Sequence, residues 1–229
     1  MADGQGPAVV CAGRLLELPG RAASLEAAFT DGQDRATIKQ KILAKRGVKA
    51  VQRRPELQDY PEHIVQYLRK TPEGDLIAVL KRQTEEIVEL LAPLTEEQSL
   101  YRYAPGKWSI KQLAGHLADT ELIFAYRLLR AARNDRTPLP GFEENEFVRQ
   151  ASFDEQPLSA ILALFEASRR SAILLMESLK EEEWDRKGIV NGHEGTPLSW
   201  GCVIAGHAAH HLQVLEERYF GELGLARRR

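Results

Sequence analysis

One stretch near the C-terminal end limits the folds open to this chain: Trp200-Gly-Cys-Val-Ile-Ala-Gly-His-Ala-Ala-His-His-Leu-Gln-Val-Leu-Glu-Glu-Arg-Tyr219. Trp200, Ile204, Leu215 and Tyr219 recur at helical spacing and define one stripe. His207 and His211 fall on that stripe. Four helical residues turn about 400°, so the two imidazoles stand roughly 40° apart, one above the other. Side chains stacked in this way can close on one metal ion. Histidines in an apolar stripe need partners for their ring nitrogens, either a shared metal or hydrogen bonds within the core. The pair lacks the glutamate of the H-E-x-x-H zinc motif, so its spacing leaves both readings open. His210 is about 100° round from His211 and shares the flank with Val203, Gly206 and Val214, so it is expected outside the site.

Three earlier segments carry the same period. Leu76, Val79, Leu80, Ile87, Leu90 and Leu91 form an apolar stripe that Pro93 ends. Thr95 with Gln98, and Ser109 with Gln112, are capping boxes that open helices. The helix after Ser109 turns Leu113, His116, Leu117, Thr120, Phe124 and Leu128 inward, and Asn134, Pro138, Pro140 and Gly141 close it. A third helix follows Pro157, with Leu158, Ile161, Leu162, Phe165, Ile173, Leu174 and Leu179 as its apolar face, a solvated end at Glu181-Glu-Glu183, and Gly188 as its stop. Asn191-Gly192 marks a tight turn, and Thr196-Pro197 launches the histidine helix, which runs to Gly221 or Gly224. Four amphipathic helices with little strand signal predict an all-α four-helix bundle, with sites built from side chains on facing helices. His116 alone reads as a hydrogen-bonded core histidine; it gains meaning because another inward helix carries two.

The predicted organisation is an N-terminal extension at 1–61, partly helical or disordered, a bundle at 62–224 and a basic tail at 225–229. Within the extension, 37–46 suits a short basic helix and 48–60 a linker; 61–68 suits another short helix. The segment 137–156 is long for a compact domain and reads as a lid or pocket wall, or as a surface crossover with aromatic anchors. Charged residues make up 28% of the 229 and the net charge is −2, which gives no electrostatic case for nucleic acid. No apolar run approaches the roughly 20 residues that span a bilayer, and the N-terminus lacks a secretory pattern, so a cytoplasmic setting without a membrane partner is expected. Cys11 and Cys202 make no disulfide framework. Cys202 lies about 140° round from His207 and is expected as a buried, reduced thiol. His63 and His193 are expected on the surface.

Trp108-Ser-Ile-Lys-Gln-Leu-Ala-Gly-His116-Leu-Ala-Asp-Thr-Glu121, followed by His207-Ala-Ala-His-His211-Leu-Gln-Val, resembles the DinB-like superfamily, and within it the YfiT-like branch of metal-dependent hydrolases. The resemblance covers 74–220, including the turn from Tyr103 to Trp108. It implies a four-helix bundle and a homodimer. It also implies a divalent cation held by His116, His207 and His211, zinc first, with nickel or iron as alternatives. Three imidazoles leave a coordination position open, which suits activation of water or of a low-molecular-weight thiol on a small-molecule substrate. The expected activity is therefore a hydrolase or a small-thiol transferase; the alternative is a bundle whose metal is structural or absent. Asp119 is the nearest acidic candidate for a general base, with a partner to His116 as its other role. Asn145 and Glu146 come after it.

Overall fold

The computed structural model describes residues 50–221. Cys11, the helix predicted at 37–46 and the tail at 225–229 lie outside the described residues.

Seven α-helices carry the described chain: α1 Glu62–Leu68, α2 Leu76–Leu91, α3 Glu96–Ser99, α4 Ile110–Ala132, α5 Glu144–Gln150, α6 Leu158–Glu177 and α7 Pro197–Val214. Helices α2, α4, α6 and α7 form a four-helix bundle in which α4 packs on α6 and α7, and α2 on the same two. The starts follow the chemistry of orphan amides. Asp75 accepts from the Ala78 N–H at the head of α2. Ser109 and Gln112 exchange hydrogen bonds at the head of α4, and Thr196 and Ser199 do so at the head of α7, with Pro197 in the first turn. Past Val214 the backbone continues as a π-helical turn, Leu215–Phe220.

The apolar core divides into two clusters. One gathers Leu76, Leu80, Phe124, Leu128, Met176, Trp184, Trp200 and Ile204. The other gathers Ile87, Leu91, Leu113, Leu117, Phe165, Leu212, Leu215 and Tyr219. On α7, His207 falls where one cluster gives way to the other, between Ala205 and Ala208, while His116 and His211 lie among residues of the second. A belt of buried polar groups crosses the bundle there: Gln83, His116, Thr120, Glu121, Arg169, His207 and His211. Arg169 of α6 forks onto Glu121 of α4, with Nε to Oε2 at 2.8 Å and Nη2 to Oε1 at 2.5 Å, and also donates to the Leu80 carbonyl of α2. Gln83 of α2 donates to the Ala205 carbonyl of α7. These bonds fix the level at which the four helices meet.

Several elements differ from the sequence reading. The segment 137–156 holds α5 and a 3-10 turn, Phe153–Glu155, anchored by buried Val148 and Phe153. One apolar anchor per turn is too little pattern to reveal them. Helix α6 ends at Glu177, and Glu181–Glu183 forms its own 3-10 turn, closed by the Lys180 N–H donating to the Glu183 carboxylate. The tight turn expected at Asn191-Gly192 is present, with φ of 49° and 79° as type I′ requires, but it joins two strands that were not expected, β1 Gly188–Val190 and β2 His193–Gly195, in an antiparallel ribbon. Three residues per strand are too few for an alternating signal. Residues 50–61 lie along the bundle: the Val51 N–H donates to Asp75 at 2.7 Å, and Arg54 donates to the Pro72 and Gly74 carbonyls. Among the described residues no helix is long and apolar enough to cross a membrane.

Helix α1 reaches the site through one close approach. A Cβ at Gly206 of α7 would stand 1.8 Å from the Tyr67 carbonyl oxygen. No backbone can absorb that overlap without moving. Gly206→Ala is therefore expected to cost about 2–3 kcal/mol by overpacking, and to lift Tyr67 off the site. Thermal unfolding followed by circular dichroism measures the loss.

Candidate metal centre

Helix α4 supplies His116 and helix α7 supplies His207 and His211, and the three rings meet in the buried belt. The Nε2 atoms of His116 and His207 are 3.0 Å apart, and those of His211 and His207 are 3.1 Å apart. The ring centroids lie 5.0, 4.5 and 4.9 Å from one another. His116 and His207 are each 2% exposed and His211 8%. Among the described residues, no carboxylate or thiolate joins the cluster.

The surroundings set the ring orientations. The Thr120 hydroxyl donates to the His116 carbonyl at 2.8 Å, so its proton is committed to the backbone. Its oxygen stands 3.5 Å from His207 Nδ1 and can only accept there. The tautomer of His207 with its hydrogen on Nδ1 fits that acceptor and leaves the Nε2 lone pair facing the other two rings. Trp108 tilts over His116 at 4.8 Å, and Tyr67 and Phe124 set their edges on His207 at 5.1 and 5.6 Å. His210 stands 5.0 Å from His211, half-buried against Tyr67 and outside the converging set.

Burial pushes all three histidines down. His116 falls from 6.5 to about 4 through desolvation, with His210 adding a smaller repulsion. His207 and His211 shift the same way, through desolvation first and the neighbouring histidines second. The rings are neutral at pH 7. Three neutral imidazoles cannot all satisfy one another at a single point: two Nε2 atoms crowd a third within 3.0–3.1 Å, while His211 Nδ1 is buried without a partner. A divalent cation would relieve the crowding of the three Nε2 atoms, though not the want of a partner at His211 Nδ1, since bonds of about 2.0–2.1 Å to one centre put neighbouring nitrogens about 3 Å apart. The donor set fits such an ion.

The fold's hold on neutral histidine predicts a pH dependence. Unfolded histidine takes up protons below pH about 6.5, whereas folded His116 resists until about pH 4. Stability of the metal-free protein is thus full above pH 6.5 and falls as the pH is lowered toward 4. His116 alone accounts for about 3 kcal/mol of that loss. Urea denaturation at pH 7.5, 6 and 5 measures it.

His207 also forms part of the wall of a cavity of about 390 Å³. Thr120, Phe124 and Arg127 of α4 line it, with Trp200 of α7, Tyr67 of α1, and Phe142, Glu143 and Glu144 at the start of α5. Glu144 stands at the rim, where partial burial and then the adjacent Glu143 carboxylate raise its pKa. Glu194, on the same wall, is instead held low by Lys187 and Arg136. His63 and His193 are exposed and pair edge-on at the mouth, 6.2 Å apart.

The remaining sequence candidates are dispersed. Asp119 is half-buried, with its pKa raised by burial, and does not line this cavity. Asn145 faces a smaller cleft with Arg102, Trp108 and Arg149, and Glu146 is tied to Arg149 and Gln150. Cys202 is fully buried as a free thiol that burial pushes up to about 12. Sequence reasoning passed over Arg127 and Glu144. Arg127 lay at i+3 from Phe124 on the inward stripe, and that spacing was the available signal.

Comparison with known proteins places this chain in a family. The model of the DinB superfamily matches residues 80–215. A protein of Oceanobacillus iheyensis carrying the name "putative metal-dependent hydrolase" is 27% identical over 135 residues, 58% of this chain and 77% of that protein. A protein of the same name from Geobacillus thermodenitrificans is 27% identical over 137 residues, 59% of this chain and 77% of its own. In fold, the chain is similar to YfiT from Bacillus subtilis, described as a probable metal-dependent hydrolase with an unusual four-helix bundle topology. The TM-score is 0.60 at 17% identity, covering 76% of this chain and 95% of the other. It is also similar to a mycothiol-dependent maleylpyruvate isomerase, with a TM-score of 0.51 at 15% identity over 73% of this chain and 66% of that one.

Proposed function

The chain belongs to the DinB superfamily, and on that footing we propose that it is a metal-dependent enzyme acting on a small molecule bound in the cavity beside His207. The observation that carries this reading is the convergence of three buried, neutral imidazoles on one point without a fourth protein ligand among the described residues. His116, His207 and His211 would hold the ion, zinc before nickel or iron. Closed structural zinc sites ordinarily take four protein ligands, so three favour chemistry over stapling. When bound, such an ion supplies Lewis acidity that acidifies a water or a thiol beside it.

The rest falls to the chain's own groups. Thr120 keeps the His207 proton on Nδ1. Trp108, Tyr67 and Phe124 exclude bulk water from the rings. Glu144 accepts a proton at its carboxylate, since its raised pKa and its place on the cavity wall suit that task better than salt-bridged Glu194. The nucleophile is water by analogy with the relatives' names, and a small thiol by analogy with the isomerase that shares the fold. A homodimer is part of the same proposal, with Leu122 and Tyr126 exposed on α4 as its apolar contribution.

Zinc-loaded protein is to be assayed with p-nitrophenyl acetate alone, and with 1-chloro-2,4-dinitrobenzene plus glutathione. Turnover that a chelator abolishes and zinc restores is expected in one arm, with Glu144→Gln losing about 10²-fold while keeping its zinc. Equal rates for loaded and metal-free protein in both arms would leave the site without a catalytic role.

A further inference from the structure

The cavity beside His207 holds a cation that no acid neutralises. Arg127 is 8% exposed, yet among the described residues its guanidinium has neither a hydrogen bond nor an ion pair. Its neighbours are rings: Trp200 at 5.1 Å, Phe142 at 5.5 Å and Phe124 at 5.6 Å. Other arginines of the bundle behave differently. Arg169 forks onto Glu121, Arg130 pairs with Asp135, and Arg136 pairs with Glu194. Ring faces offset part of the lost hydration but accept none of the five guanidinium hydrogens. Burial lowers the pKa of Arg127 to about 10, which keeps it charged at neutral pH.

We propose that Arg127 anchors a carboxylate, and that the ligand of this cavity is a small carboxylic acid with an apolar or aromatic body. A planar fork matches a carboxylate with two parallel bonds. Phe124 and Trp200 lie nearly parallel, 19° apart, and wall the approach with flat apolar surface. A phosphate dianion is the poorer match: among the described residues Arg127 is the sole buried cation on this wall, and Glu143 and Glu144 at the rim repel a second negative charge. Neither glutamate reaches ion-pair distance of Arg127. Arg127 lies seven residues beyond Thr120 on α4, about 10 Å of rise, and helical side chains lean back toward the N-terminus. The carboxylate therefore sits several bonds from the part of the ligand that meets His207. Only this last placement rests on the metal-enzyme reading; the anion site stands without it.

Calorimetric titration of the full chain with benzoate, benzamide and inorganic phosphate, at fixed ionic strength and pH 7.5, tests the proposal. Benzoate is expected to bind at least tenfold more tightly than benzamide or phosphate. Arg127→Met is expected to erase that preference, Arg127→Lys to keep a fraction of it, and Arg82→Met on the exposed face of α2 to keep it whole. Equal affinity for benzoate and benzamide, an unchanged preference in Arg127→Met, or tighter binding of phosphate would overturn the assignment. Should Arg127→Met fail to fold, the ratio in the unaltered chain and in Arg127→Lys decides. Zinc content measured on the same samples separates the two readings. Benzoate preference without zinc leaves the anion site standing alone, and zinc without benzoate preference removes it.

Discussion

His207→Ala is expected to lose stoichiometric zinc, with affinity falling by more than the roughly hundredfold typical of losing a group that merely orients a ligand. His207 is the hinge of the cluster, because its Nε2 lies within 3.1 Å of both other Nε2 atoms. Without it, His116 on α4 and His211 on α7 lose the nitrogen that both approach. His210→Ala supplies the contrast. Its ring is adjacent in sequence and only 5.0 Å from His211, yet it lies outside the converging set, so that variant keeps its zinc. Metal analysis after desalting reads both. The opposite pattern, zinc lost with His210 and kept without His207, would assign the ligands wrongly.

The second large effect concerns the scaffold. Glu121→Ala is expected to destabilise the protein by about 3–5 kcal/mol, because it strands the Arg169 guanidinium in the bundle interior. Arg169 is fully buried and Glu121 is 1% exposed, so water cannot replace the lost partner. At about 2–4 °C per kcal/mol for a chain of this size, the melting temperature drops by about 10 °C. Replacing both residues together, Glu121→Leu with Arg169→Met, is expected to cost less than Glu121→Ala alone, since an apolar pair leaves no charge unpaired. The ion pair thus fixes the level at which α2, α4 and α6 meet more than it adds net stability.

The bundle was legible because its helices are long and strongly periodic. Leu76 to Leu91, Leu113 to Leu128 and Trp200 to Tyr219 each repeat an apolar face over several turns. The caps at Ser109 and Thr196 carried their own local chemistry. The same periodicity put His116, His207 and His211 on inward faces, and the structure brings their rings together. Pairwise register between helices was not legible. Nothing in the local pattern says that Gly206 meets the Tyr67 carbonyl, that Arg169 reaches Glu121, or that Arg127 turns toward Trp200 and Phe142. Those contacts join residues far apart in the chain, and periodicity records the direction a side chain takes from its own helix axis, not what lies opposite. Helix α5 and the ribbon at Asn191-Gly192 escaped for another reason: seven and three residues are too short to show a period.

On this reading three imidazoles from two helices would hold one divalent ion and leave part of its coordination to an exogenous ligand. X-ray absorption at the zinc edge of the reconstituted full chain tests it directly. One zinc per chain is expected, with three imidazole nitrogens at about 2.0–2.1 Å and at least one further light-atom ligand that exchanges when a small thiol is added. A spectrum showing four protein ligands, or a chain that binds no stoichiometric zinc, nickel or iron at all, would contradict it.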